Sequence, residues 1–110
     1  MALTNAALNA AVEGITTQVT HIALTDGGTE LTGGSYARQA VTWGTATAGA
    51  QNIAADETFE VPAGATVDGW VGYDALTGGT SYGGAALTAE TYAGAGQYVL
   101  EAASTNYDVN

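Results

Sequence analysis

Thr66-Val67-Asp68-Gly69-Trp70-Val71-Gly72-Tyr73, then Asp74-Ala75-Leu76-Thr77-Gly78-Gly79, then Thr80-Ser81-Tyr82-Gly83-Gly84-Ala85-Ala86 is the stretch of this 110-residue chain that decides its fold. Two runs of strand-forming residues flank a Gly-Gly turn, and glycine supplies the positive φ that tight hairpin turns demand. The spacing predicts strands over 66–73 and 80–86. Working outward, further strands are expected over 19–24, 39–43, 58–61, 97–103 and 107–109. The turns between them carry Asp26-Gly27-Gly28, Gly33-Gly34, Pro62-Ala63-Gly64, Gly83-Gly84 and Gly94-Ala95-Gly96. Short strands at this density predict an all-β domain, a small antiparallel β-sandwich or jelly-roll-like fold.

Only the start of the chain reads differently. Thr4 suits a helix N-cap, Leu3 before it can staple onto Leu8, Leu8, Ala11, Val12 and Ile15 share one face, and Gly14 can close the helix. A short N-terminal helix or arm over 1–18 is therefore expected, with the sandwich over 19–110 and one domain overall. The helix either lies on a neighbour through Leu3, Leu8 and Val12 or caps one end of the sandwich. Both readings stand at this point. Leu24-Thr25-Asp26-Gly27-Gly28-Thr29 echoes Leu76-Thr77-Gly78-Gly79-Thr80, but one echo is a shared turn chemistry and no repeat array.

Composition limits the core. Of 51 hydrophobic residues 23 are Ala, and Ala, Gly and Thr fill 56 of the 110 positions. Each buried side chain therefore contributes little, and a second core does not fit in this length.

Charge excludes whole classes of partner. Eleven carboxylates face one cation, Arg38, for a net charge of −10 and a pI near 4.1. Nucleic acid and anionic membranes attract clustered Lys and Arg, so neither is an expected partner. Arg38 either pairs with a carboxylate within or across subunits or sits free on the surface. No Cys is present, which removes disulfides, thiolates and Cys-ligated zinc. The opening Met1-Ala2-Leu3-Thr4-Asn5 has no basic n-region and no run approaches a membrane span, so synthesis as a soluble cytoplasmic product is expected.

Catalytic chemistry has few candidates. His21 is the sole histidine and alternates with Ile22 and Leu24 in an expected strand. Asp56, Glu57 and Glu60 cluster, but strand alternation sends Glu57 and Glu60 to opposite faces, and the spacing fits no EF-hand loop. The Gly-rich stretches lack the neighbours that a P-loop, a nucleotide fingerprint or a nucleophile elbow requires. The expectation is no enzyme, no metal and no cofactor. Trp43, Phe59, Trp70, Tyr73 and Tyr98 fall in expected strands and read as core; an exposed Trp43 or Trp70 beside Tyr36 or Tyr82 would instead suit sugar stacking or a protein partner.

The order of the pieces also carries a likeness. Thr32-Gly33-Gly34-Ser35-Tyr36-Ala37-Arg38-Gln39-Ala40-Val41-Thr42-Trp43 is followed by Phe59-Glu60-Val61-Pro62-Ala63-Gly64-Ala65-Thr66-Val67, then Asp74-Ala75-Leu76-Thr77-Gly78-Gly79-Thr80, and finally Tyr92-Ala93-Gly94-Ala95-Gly96-Gln97-Tyr98-Val99-Leu100. Over nearly its whole length the chain resembles a family of small structural proteins of tailed bacteriophages, variously labelled tail fibre, minor tail or head decoration proteins. The short Thr25 to Glu30 connection departs from the longer, Pro-containing insertion of that family. The resemblance implies a non-enzymatic virion component whose partners are the phage major capsid protein or tail proteins, in a homo-oligomer or bound to a lattice. A fibre needs a shaft that 110 residues without repeats or heptads do not supply alone, so capsid decoration or a minor capsid role is the first expectation. A tail-tip or fibre-associated role is the alternative, and a carbohydrate-binding module comes third. Leu3, Leu8, Val12, Tyr36, Arg38 and Tyr82 are the expected partner contacts.

Overall fold

The computed structural model describes residues 2–110. Helix α1 spans Asn5–Thr16, and the chain then runs through β1 (His21–Asp26), β2 (Thr29–Glu30), β3 (Gln39–Ala40), β4 (Ala50–Asn52), β5 (Glu57–Val61), β6 (Thr66–Tyr73), β7 (Ser81–Thr91), β8 (Gly96–Leu100) and β9 (Asn106–Asp108). A short 3-10 turn at Ala102–Ser104 precedes β9. Every strand pairing is antiparallel, and the fold is all-β with one N-terminal helix.

The hairpin at 66–91 organises the main sheet. Its order is β2-β1-β6-β7, and β3 joins the other end of β1, so that β1 is enclosed while β7 is an edge. Between β1 and β2, Gly27 and Gly28 both take positive φ, 59° and 85°. That pair is what the two-residue turn of a right-twisted hairpin requires. Asp68 on β6 fixes this turn by accepting the Gly27 N–H on both carboxylate oxygens at 3.1 and 3.0 Å. Two short ribbons, β4 with β9 and β5 with β8, complete the body.

Alternation along β5 puts Phe59 and Val61 inward and Thr58 and Glu60 outward. Their inward side chains join Ile22 and Leu24 of β1, Val67 and Trp70 of β6 and Leu100 of β8 in one core. The β5/β8 ribbon is therefore the layer that closes the main sheet's apolar face.

Helix α1 starts where the sequence predicts. Thr4 is extended and its Oγ1 accepts the Ala7 N–H at 3.2 Å. The helix does not close at Gly14 but continues to Thr16. Docking explains the difference: Val12 is fully buried, and the Thr16 hydroxyl donates to Gln51 Oε1 at 2.5 Å, so tertiary contacts carry the last turn past the glycine. Asn9 Oδ1 accepts the Gly49 N–H at 2.9 Å. Thr4→Ala is expected to lower stability by about 1 kcal/mol, read as a fall in the urea midpoint; an unchanged midpoint would show that the cap contributes nothing.

Other boundaries also moved. β7 extends five residues beyond its expected end at Ala86. The strand expected over 39–43 is reduced to β3 and an isolated bridge between Trp43 and Ile53. The stretch expected to be strand over 97–103 turns at Ala102 because Asp56 Oδ1 accepts the Ala102 N–H at 2.8 Å, pulling the chain out of its ladder.

Candidate functional site

Arg38 is the centre of the most connected side-chain cluster. Its guanidinium grips Glu30 in a two-pronged pair, Nε to Oε2 at 3.0 Å and Nη2 to Oε1 at 2.8 Å. Nη1 donates to the carbonyls of Ala75 and Gly78 at 2.9 and 2.8 Å. The guanidinium carbon lies 3.6 Å from the centre of the Tyr73 ring. Charge-assisted, two-pronged geometry is the strongest form such a pair takes, and here one cation fastens the 30–38 loop to the 74–80 loop. Only 7% of its side chain is exposed. Of the two readings open in the sequence, Arg38 takes the intrachain pair and not the free surface.

Tyr36 completes the cluster. Its Oη donates to Glu30 Oε2 at 2.9 Å and accepts the Leu24 N–H at 3.1 Å. Burial, first, and the neighbouring carboxylate push its phenol well above the ordinary range. The Arg38 hydrogen bond, aided by Tyr36, holds the Glu30 carboxyl below its usual 4.5 although burial opposes the shift. Glu30, Leu31, Gly33, Tyr36, Leu76 and Thr77 border an open cleft of about 430 Å³ between the two loops. Its polar groups are already engaged with one another, so the cluster is a fastening.

Of the aromatic residues expected in the core, Phe59 and Trp70 are buried, and Trp43, Tyr73 and Tyr98 are half-buried. Trp70 is 3% exposed, and Tyr107 bridges the two tryptophans, with ring centres 5.3 Å from Trp70 and 5.4 Å from Trp43. Trp43 is half-buried and its Nε1 donates to the Val19 carbonyl at 2.8 Å. Trp70 offers no open face for sugar stacking, and Trp43 borders a surface recess with Glu13, Thr16, Thr17 and Gln51. Acrylamide is expected to quench both tryptophans far less than it quenches them in the unfolded chain; equal quenching of one would restore an exposed platform.

Tyr107 was missed in the sequence as a key residue, yet a signal existed. Gly72 lies mid-strand, where glycine marks a close approach, and a Cβ there would collide with the Tyr107 hydroxyl and with Val19. The Tyr107 hydroxyl donates to the Gly83 carbonyl at 2.7 Å, and burial pushes its pKa up to about 12.

The remaining sequence candidates scatter. Leu3 is 51% exposed, Leu8 is half-buried and Val12 has no exposed surface, so Val12 belongs to the chain's own packing and offers nothing to a partner. The helix caps the β4/β9 ribbon. Tyr82 is half-buried near the start of β7. The His21 ring Nδ1 sits 2.9 Å from the Thr20 hydroxyl. Asp56 is tied to the Ala102 N–H, Glu60 to the Gln97 amide, and burial pushes the Glu57 carboxyl up. These carboxylates do not converge, and among the described residues no group of three His, Asp or Glu side chains does.

A family model described as podophage GP4 fiber I protein gp80 matches residues 2–108. The chain belongs to this family. It is thus a structural protein of a tailed phage and a component of the virion. No curated protein and no solved structure matches it. In this gp80-family chain both loops joined by Arg38 lie within the matched region, so the fastening sits inside the family's own segment.

The Glu30 contact has a pH signature. A carboxyl held below its unfolded value adds stability that is present in full above about pH 4.5 and is lost as pH falls through the folded value. The urea-midpoint advantage of the native chain over Glu30→Gln is expected to shrink between pH 5 and pH 3. Glu57, shifted the other way, is common to both proteins and cancels. An advantage that stays constant across that window would contradict the pairing.

Proposed function

We propose that this gp80-family chain is a non-enzymatic building block of a virion fibre, present in several copies and held by contacts between copies and with other tail proteins. The observation that carries the reading is the family match across nearly the whole chain, whose description names a fibre. The objection drawn from the sequence, that 110 residues lack a shaft, applies to one copy. A body 49 Å long and 25 by 23 Å across is a segment that gains length by repetition. The acidic exterior, with its sole cation engaged inside the fold, keeps assembled particles apart.

The test is the copy number of the chain in purified virions, measured by quantitative mass spectrometry on separated head and tail fractions. Tens of copies tracking with tails are expected. Hundreds tracking with heads would establish capsid decoration, with the major capsid protein as its partner, and overturn the fibre reading.

A further inference from the structure

Endopeptidases of the trypsin type cut after Lys or Arg, whose side chain must enter a pocket with a carboxylate at its base. The chain has no Lys, so the bond between Arg38 and Gln39 is the single place where such an enzyme acts on it. The structure closes that bond on both sides. The side chain a protease must take is 7% exposed, donates four hydrogen bonds to Glu30, Ala75 and Gly78, and lies against the Tyr73 ring. The backbone beyond the bond is held as well: Gln39 and Ala40 pair with Ile22 and His21 of β1, and the Val41 N–H donates to the Thr20 carbonyl at 2.9 Å. Proteolysis acts on segments released from such contacts.

We infer that the bond between Arg38 and Gln39 is a latent cleavage site for serine endopeptidases that read a basic side chain, and that the fastening of the 30–38 loop to the 74–80 loop is the gate that keeps it shut. Hydrolysis there adds one water across the Arg38 carbonyl carbon and the Gln39 nitrogen, leaving a carboxylate on Arg38 and an amino group on Gln39. Opening the gate does not require the body to unfold. β3 meets β1 through two residue pairs, whereas β1 meets β6 through five. Releasing the Arg38 contacts and the two residues of β3 therefore frees the bond while the main sheet stands. The cleavage rate follows the population of this local opening, and the Arg38 contacts set that population. The residue a protease reads is the residue that holds the loop shut, so the bond is offered only when the fastening has failed. The inference concerns the chain wherever it sits in the virion and does not depend on the fibre reading.

The test is digestion of the full chain by trypsin at neutral pH, read by intact mass. The folded chain is expected to stay at 10.9 kDa under conditions that cut a synthetic peptide of residues 32–43 after Arg38. Glu30→Gln keeps the side-chain shape and removes the charge that grips the guanidinium. It is expected to be cut at the same bond roughly tenfold to a hundredfold faster than the native chain, the worth of one charge-assisted hydrogen bond, with its near-ultraviolet spectrum unchanged. A native chain cut as fast as the peptide overturns the closed site. Equal rates for the native chain and a folded Glu30→Gln overturn the gate. The urea dependence of the native chain gives a reading that needs no variant. Below the unfolding midpoint the logarithm of the cleavage rate is expected to rise with a shallower slope than that of global unfolding, because a local opening exposes less surface. A slope equal to that of global unfolding would place the protection in the whole fold and overturn the gate.

Discussion

Phe59→Ala is expected to lower the folding stability by about 4 kcal/mol, the cost of removing a fully buried aromatic ring from a close-packed site. Phe59 has no exposed surface and sits where β5, β6 and β8 meet, among Val61, Val67 and Leu100. The ring is enclosed by the chain's larger side chains held on paired strands, so its loss leaves a cavity that they cannot close. A chain of this length has about 5–15 kcal/mol in total, so one ring carries a quarter or more of it. Thermal unfolding should fall by roughly 15 °C or more. A fall below 5 °C would show that the β5/β8 ribbon is not the layer closing the core.

Arg38→Ala is expected to cost about 3 kcal/mol, the low end of the range for breaking one side of a buried ion pair. Glu30 keeps 26% of its side chain in solvent, which softens the loss. What remains is large because four hydrogen bonds go at once, two of them holding the 74–80 loop through the Ala75 and Gly78 carbonyls. Arg38→Lys should recover little: an ammonium is a point charge and does not reproduce the planar fork that reaches a carboxylate and two carbonyls together. Equal stability of Arg38→Lys and the native chain would show that charge alone matters there. Amide exchange should quicken first in 74–80, the segment that loses its donor.

The sequence was most legible where geometry is local. β6 matches its expected ends because Val67, Trp70, Val71 and Tyr73 favour extended backbone and glycine-bearing turns bound the run on both sides, and α1 begins just after Thr4 because a cap acts within three residues. Legibility failed where structure depends on distant partners. The last five residues of β7 show no alternation because only Leu87 reaches the core, and the pairing of Glu90 and Thr91 with Val67 and Thr66 makes the end strand. β2 and β4 are too short to carry a pattern. The partner of Arg38 is not legible in the sequence because Glu30 comes within reach only once the 26–29 turn and the β1 pairing are in place. The tight site over Gly72 needed Tyr107, 35 positions away in the chain.

The fibre assignment is the central claim, and antibody labelling of intact virions viewed by electron microscopy tests it most directly. Label confined to fibres extending from the particle, at repeated positions along each one, is the predicted result. Label spread over the capsid faces with bare fibres would contradict it.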